Sequence, residues 1–230
     1  MIKQNVVKIR EKIASVCSRI RRDTAEITVV AVAKNRSSAQ VKEAIETGIF
    51  DIGENRVQEA VVKVGDLRPA TEGMQLRWHM VGHLQTNKVK EAVKIFACIQ
   101  SVDSLRLALE IDKQAARAGK IQGVMLEVKT SPEATKFGLE PKNLPANIRE
   151  LARLQNLKIL GLMTIAPLLD DPRESRPYFR QLRELKDEVN RQSALGYEIS
   201  ALSMGMTDDF EVAIEEGSTM VRLGRAIFEG

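Results

Sequence analysis

The stretch TVVAVAKNRSSAQVKEAIETGIFDIGEN (28–55) contains one full repeat of the pattern that runs through the chain. It begins with a β-branched apolar run, which is typical of a buried strand. Ser37 or Ser38 then supplies a cap for a helix that ends at Gly48. A second strand, FDIGEN (50–55), follows the glycine. This order of elements predicts a parallel β-α-β unit.

The same alternation continues through the 230 residues. The further predicted strands are RWHMVGH (77–83), IFACIQSV (95–102), QGVMLEVK (122–129), LKILGLMTI (157–165), YEISALSM (197–204) and TMVRLG (219–224). Helices are predicted from Val57, over 87–94, from a cap at Asp103 or Ser104 toward Gly119, over 144–154, around 173–194, and from a Thr207 cap to Gly217. Eight strand–helix units predict an α/β fold, a (β/α)8 TIM barrel. The alternative is an open doubly wound sheet, although no G-x-G-x-x-G follows the first strand to support its dinucleotide-binding form.

An additional helix is predicted before the first strand, over residues 2–22. Its apolar positions fall at helical spacing, with charged residues between them: Val6, Ile9, Ile13, Val16 and Ile20. The sequence contains no low-complexity segment, Gly/Ser linker or change of composition. We therefore expect residues 1–230 to form a single domain.

The composition excludes several classes of protein. The 35 Lys+Arg and 31 Asp+Glu give a net charge of +4 spread along the chain, which argues against nucleic-acid binding. With 43% apolar but 4% aromatic residues, the core must consist of aliphatic side chains, as in a helix-covered parallel sheet. Cys17 and Cys98 form neither a disulfide framework nor a zinc motif. No segment resembles a membrane span or a secretory signal, so we expect a cytoplasmic protein.

In a parallel barrel, the chemistry lies at the carboxyl ends of the strands. Polar residues occur at these ends throughout the sequence: Lys34-Asn35, Glu54-Asn55, Gly82-His83, Ser101-Asp103, Lys129-Thr130, Thr164-Pro167, Ser203-Met204-Gly205 and Arg222-Leu223-Gly224. This pattern predicts a polar ring on an apolar barrel.

Lys34 closes an apolar run, so its aliphatic stem is expected in the barrel mouth. A lysine desolvated there can form an imine with an aldehyde. Alternatively, its ammonium reaches solvent and has no chemical role. From the residues alone Lys129 is an equal candidate, and the choice stays open.

Two stretches near the end of the chain are suited to a phosphate. Residues 203–209, SMGMTDD, join a strand end to a helix start and offer a hydroxyl, a glycine and free N–H groups. Alternatively, Thr207 and the acidic pair only cap the helix. Arg222-Leu223-Gly224 repeats the pattern on the next strand, and the last two strands of barrels often bind phosphate.

No motif supports a metal site or hydrolysis. His79 and His83 are four residues apart on a predicted strand, which separates them by about 13 Å, too far to share a metal. We expect His79, beside Trp78, to be structural. There is no G-x-S-x-G and no P-loop.

With these residues in hand, the sequence closely resembles the pyridoxal-phosphate homeostasis protein family, whose members are similar to the barrel domain of alanine racemase. The resemblance covers nearly the whole chain in family order. It rests on VAVAKNRS (30–37), IGENRVQEA (52–60), WHMVGHLQTNK (78–88), SVDS (101–104), GLMTIAP (161–167) and LSMGMTDDFEVAIEEGSTMVRLGRAIF (202–228).

The resemblance implies that pyridoxal 5′-phosphate (PLP) is bound as an imine on Lys34. It implies a cofactor site made of Lys34, Asn55, His83, Ser203, Met204, Gly205, Arg222, Gly224 and Arg225. In this site Asn55 and His83 lie near the ring and Arg222 faces the pyridine nitrogen. The phosphate is held by Ser203, the backbone of Met204 and Gly205, Gly224 and the backbone of Arg225. The chain departs from the family at Ala33-Lys34-Asn35, where many members have Ser-Lys-Thr, and at Arg225, where a threonine is common.

A cationic Arg222 disfavours protonation of the pyridine nitrogen, which handicaps carbanion chemistry. Racemisation tolerates this but needs a second base, which in alanine racemase is a tyrosine that depends on a second domain. Here the chain ends soon after the eighth strand, and Tyr178 and Tyr197 are not expected at strand ends. We therefore expect a non-catalytic, monomeric carrier of PLP that passes it to apo-enzymes. The alternatives are a PLP-dependent amino-acid racemase and a protein-interaction regulator that senses the cofactor.

Overall fold

The computed structural model describes residues 1–131, 133 and 137–229, and within these the strands form one closed parallel barrel. Each strand pairs with the next, and the last pairs with the first, Val30 opposite Arg222. The predicted (β/α)8 barrel is confirmed and the open sheet is excluded. The strands are β1 (Thr28–Val32), β2 (Asp51–Glu54), β3 (Arg77–Met80), β4 (Cys98–Val102), β5 (Gln122–Glu127), β6 (Leu157–Met163), β7 (Ala201–Ser203) and β8 (Met220–Leu223).

The α-helices of the described residues surround the barrel. They are α1 (Ile2–Ile20), α2 (Ser38–Glu46), α3 (Val57–Leu67), α4 (Val89–Ile95), α5 (Leu105–Arg117), α6 (Leu144–Leu151), α7 (Arg176–Gln192), α8 (Phe210–Glu215) and α9 (Arg225–Phe228). Helix α1 precedes the first strand, as predicted, and packs on α8, α9 and α2. The short α9 was not predicted. It is tied to α1 by the Asn5 amide, which donates to the Ile227 carbonyl at 3.0 Å.

Two predicted helix starts are confirmed in detail. Ser37 caps α2 in a reciprocal capping box with Gln40, and Ser104 caps α5. The prediction for Thr207 is wrong, because α8 begins only at Phe210. The Thr207 hydroxyl instead accepts a hydrogen bond from the Ala226 N–H at 3.2 Å and thereby joins the loop that follows β7 to α9.

Strand β7 is shorter than the predicted 197–204. Asn190 at the end of α7 takes both backbone groups of Ile199, donating to its carbonyl and accepting from its N–H, each at 2.9 Å. These side-chain bonds replace the strand ladder, so regular pairing begins only at Ala201.

The core has two parts. The larger lies between the sheet and the helices and consists mainly of the aliphatic side chains that the composition predicts. A smaller cluster of Cys98, Met125 and Met163 comes from the neighbouring strands β4, β5 and β6. Both cysteines are free and buried. Among the described residues, no helix combines the length and the apolar character needed to cross a bilayer.

Gly161 of β6 pairs with Ala201 of β7 at close range. A Cβ atom at this position would lie 1.8 Å from the carbonyl oxygen of Ala201. Only a residue without a side chain therefore allows the two strands to pair here.

We predict that Gly161→Ala lowers the free energy of unfolding by about 3 kcal/mol or more, because the methyl group separates two paired strands. Urea denaturation measures this. The matched control is Gly65→Ala in α3, where nothing lies within 4 Å of the new Cβ and the change should be neutral or stabilising. Equal stability of the two variants would contradict the close approach.

Candidate functional site

Lys34 lies two residues beyond β1, on the rim formed by the carboxyl ends of the strands. Its side chain is exposed, and among the described residues no carboxylate lies within 4.0 Å of its ammonium. Lys129, the competing lysine, is mostly buried, and its ammonium lies 3.6 Å from a Glu140 carboxylate oxygen. Of the two lysines, Lys34 is therefore the one whose amine is not paired with an acid.

A buried ion pair between Lys63 and Glu54 contacts the turn that carries Lys34 and stabilises it. Lys63 on α3 donates to the Ala33 carbonyl at 2.6 Å and pairs with Glu54 at the end of β2, which is fully buried. Burial raises the pKa of Glu54, and the hydrogen bond and charge of Lys63 oppose this. Glu59 also accepts from the Asn35 N–H at 3.4 Å. Sequence reasoning missed this network, because nothing in the sequence indicates that Lys63 points inward.

Asn55 and His83 lie at the same rim, after β2 and β3. His83 is half-exposed, its Nδ1 lies 3.0 Å from a carboxylate oxygen of Asp103, and its ring stacks on Phe137 with the centroids 3.8 Å apart. The carboxylate and the stacked ring fix the orientation of the imidazole. Neither partner was predicted.

The loops after β7 and β8 face each other and present backbone donors. Gly205 is buried with a φ of +93°, and a Cβ there would lie 2.6 Å from Cβ of Ala213, so glycine is required. Within the part of the chain that the structure describes, the N–H groups of Gly205 and Gly224 have no protein acceptor. The exposed Arg225 guanidinium pairs with Asp208 through Nη2.

Met204 and Ser203 are less available to a ligand. The Met204 N–H donates to the Met220 carbonyl at 3.1 Å. The Ser203 hydroxyl is fully buried, donates to Oε1 of Gln100 at 2.6 Å and accepts from Arg222 at 2.7 Å. Of these groups in residues 203–205, the Gly205 N–H is therefore the one that has no protein partner in the described residues.

Arg222 is the buried cation beneath the mouth, with a relative exposure of 4%. Its Nη1 donates to Ser203 and its Nη2 donates to the Thr164 carbonyl at 2.8 Å. Burial lowers the pKa of Arg222 to about 10, while the charges of Glu127 and Asp209 act in the opposite direction. Arg222 consequently stays charged at neutral pH.

Glu127, at the end of β5, is a buried carboxyl whose pKa is shifted to near neutral pH. Burial and the charge of Asp103 raise the pKa of Glu127, Arg222 opposes them, and the net result is a pKa of about 7. The sequence did not single out this carboxyl.

His79 is buried between Asp51 and Gln100, as expected for a structural histidine. Among the residues the structure describes, no three His, Cys, Asp or Glu side chains are grouped as a metal would require.

The fold and the rim define a class of protein. It is a (β/α)8 barrel with a lysine after the first strand and with a free backbone N–H donor after each of the last two strands. The family model for the alanine racemase N-terminal domain matches residues 4–230, and the chain belongs to this family. Curated relatives give the narrower group. The pyridoxal phosphate homeostasis protein of Aquifex aeolicus is 41% identical, over 98% of this chain and 96% of its own, and that of Pseudomonas aeruginosa is 37% identical, over 99% and 94%.

Among solved structures, PipY of Synechococcus elongatus with PLP bound superimposes with a TM-score of 0.87 at 36% identity. The match covers 99% of this chain and 100% of PipY. The similarity therefore extends over both chains from end to end.

The ion pair beneath the lysine turn gives a testable prediction. Lys63→Met should lower the free energy of unfolding by about 3 kcal/mol, because it leaves the carboxylate of Glu54 buried without a cation. Adding Glu54→Gln should recover part of this loss. Urea denaturation at pH 7 measures both.

The control is Lys113→Met, which removes an exposed partner of Glu110 and should leave stability unchanged. If Lys63→Met were as stable as this control, Lys63 would not support the turn.

Proposed function

We propose that this protein binds pyridoxal 5′-phosphate in the barrel mouth, linked as an imine to Lys34, and that it serves PLP homeostasis without catalysing a reaction. Residues 1–230 act as one PLP-binding domain. The proposal is carried by three features that lie together at one rim. They are the Lys34 amine without an acidic partner, the buried cation of Arg222, and the N–H groups of Gly205 and Gly224 without a protein acceptor. The name of the relatives and the PLP in PipY support it.

The residues at the rim fit each part of the cofactor. The N–H groups of Gly205 and Gly224, with that of Arg225, suit the phosphate, because an anion satisfies donors that have no protein acceptor. Asn55 and His83 suit the ring on the side of the first strands. When bound, PLP supplies an aldehyde for a lysine amine and an electron-accepting ring.

In this proposal Arg222 handicaps carbanion chemistry, and the lack of a second base accounts for the absence of racemisation. Held by Ser203 and the Thr164 carbonyl, Arg222 would present a cation to the pyridine nitrogen of bound PLP. A cation there disfavours a proton on that nitrogen, and without that proton the ring accepts electrons poorly.

The two tyrosines of the chain do not supply a second base. The Tyr197 hydroxyl accepts from the N–H of Ile159 in β6 at 3.0 Å, and Tyr178 lies on α7 and packs against the core. A racemase would need a base on each face of the substrate α-carbon, so we favour a carrier over the racemase alternative.

The carrier would act in the cytoplasm as a monomer, keep the concentration of the reactive aldehyde low and deliver the cofactor to apo-enzymes. A reversible imine suits this role, because it hides the aldehyde without consuming it.

We predict that Lys34→Ala abolishes the visible absorbance band that PLP gives with the wild-type protein, since the imine needs the Lys34 amine. Thermal melts check that the variant is folded. Lys129→Ala is the control at the same rim and should keep the band. If Lys129→Ala lost the band while Lys34→Ala kept it, the imine would be assigned to Lys129.

We also predict that the PLP complex does not turn over L- or D-amino acids above the rate of free PLP. Chiral chromatography and a keto-acid assay would follow alanine and other substrates, with an authentic alanine racemase as positive control. Robust formation of racemate or keto acid would establish an enzyme.

A further inference from the structure

A continuous chain of side chains crosses the barrel interior and ends on Arg222. The Asp51 carboxylate lies 2.8 Å from Nε2 of His79, and Nδ1 of His79 lies 3.0 Å from Nε2 of Gln100. Oε1 of Gln100 accepts from Ser203, which accepts from Arg222. Gln100 and Ser203 come from β4 and β7, which are not neighbours in the sheet. Their contact therefore spans the inside of the barrel.

This series of hydrogen-bonded side chains is anchored at the amino-terminal end of the barrel, opposite the rim that carries Lys34. Arg77 begins β3 and donates two hydrogen bonds to Asp51, at 2.7 and 2.6 Å. Burial raises the pKa of Asp51, but hydrogen bonds from His79 and Arg77 outweigh it and hold the pKa below its usual value. Asp51 is therefore an ionised acceptor at neutral pH.

With Asp51 as an ionised acceptor and a single proton on the His79 ring, one assignment of donors and acceptors satisfies every bond of this network. His79 donates from Nε2, so its Nδ1 is free to accept from the amide nitrogen of Gln100. The amide oxygen of Gln100 then accepts the Ser203 hydroxyl proton, and the lone pair of that hydroxyl accepts from Arg222. All five groups have one mutually consistent arrangement.

This arrangement determines where the guanidinium lies. In the described residues Arg222 has no carboxylate within 4.0 Å, and its two bonds run to neutral oxygens of Ser203 and Thr164. Ser203 would be free to rotate if Gln100 did not hold its proton. The orientation of Arg222 thus depends on residues that never reach the mouth.

We propose that Gln100 and His79, anchored by Asp51, are positioning residues that act through Ser203 to hold Arg222 against the pyridine ring of PLP. The proposal rests on the proposed function, because PLP binding is what it serves. None of these three residues touches the cofactor. Their role is to keep a buried cation in one orientation.

The test compares PLP affinity and the absorbance maximum of the bound cofactor in Gln100→Leu and in the wild-type protein. Gln100→Leu should weaken PLP binding about 5- to 10-fold and shift the band, because Arg222 loses a fixed partner. In an Arg222→Met background the same change should alter affinity less than about 2-fold, since Arg222 carries its effect. Ser203→Ala is the smaller second variant and should behave in the same way if Gln100→Leu folds poorly.

Gln122→Leu is the matched control. Gln122 is equally buried, but its amide nitrogen donates only to backbone carbonyls, those of Phe96, Ala97 and Gly123, so its loss should leave the band in place. An unchanged band and affinity in Gln100→Leu and Ser203→Ala would overturn the proposal, as would an equal effect in the Arg222→Met background. If the wild-type protein formed no band with PLP, the proposed function itself would fail, which is a distinguishable result.

Discussion

Closure of the parallel sheet, with β8 paired to β1, is the constraint on which the rest of the structure depends. It removes both sheet edges and brings the carboxyl ends of all the strands to one rim. Lys34 near the start of the chain thereby lies on the same rim as Gly224 near its end. Closure also encloses an interior, and the side chains that point into it must fill that space or bond to each other.

The interior of this barrel is only partly apolar. Cys98, Met125 and Met163 fill one side, whereas a polar chain from Asp51 to Arg222 crosses the remainder. A buried guanidinium is costly to desolvate, and its bonds to Ser203 and Thr164 offset that cost with neutral oxygens rather than a carboxylate. Within the described residues no carboxylate lies within 4.0 Å of this guanidinium, although the charges of Glu127 and Asp209 act on it from further away.

Much of the fold could be predicted from local patterns in the sequence. β-Branched runs gave the strands, Ser37 and Ser104 gave the helix starts, and counting the repeats gave the barrel. The rim residues followed from the strand ends. Local patterns gave the wrong start for β7, because the Asn190 side chain replaces backbone pairing before that strand. They also gave the wrong start for α8, because Thr207 bonds to Ala226 in α9 instead of capping the helix.

The contacts that tune the candidate site could not be predicted, because they join residues that are distant in sequence. Ser203 and Gln100 are 103 positions apart, and nothing in the sequence indicated that their side chains meet. Lys63 is one of many lysines on helices, and only the folded barrel turns it toward Glu54. Helical or strand periodicity carries no information about such pairs.

The most direct test of the central claim is to locate the cofactor on the chain. Borohydride reduction of the complex with PLP, followed by proteolysis and peptide mass spectrometry, converts an imine into a stable secondary amine that marks its lysine. The account predicts that the phosphopyridoxyl group is found on the peptide containing Lys34. Recovery of the label on Lys129, or of no label from a protein saturated with PLP, would contradict it.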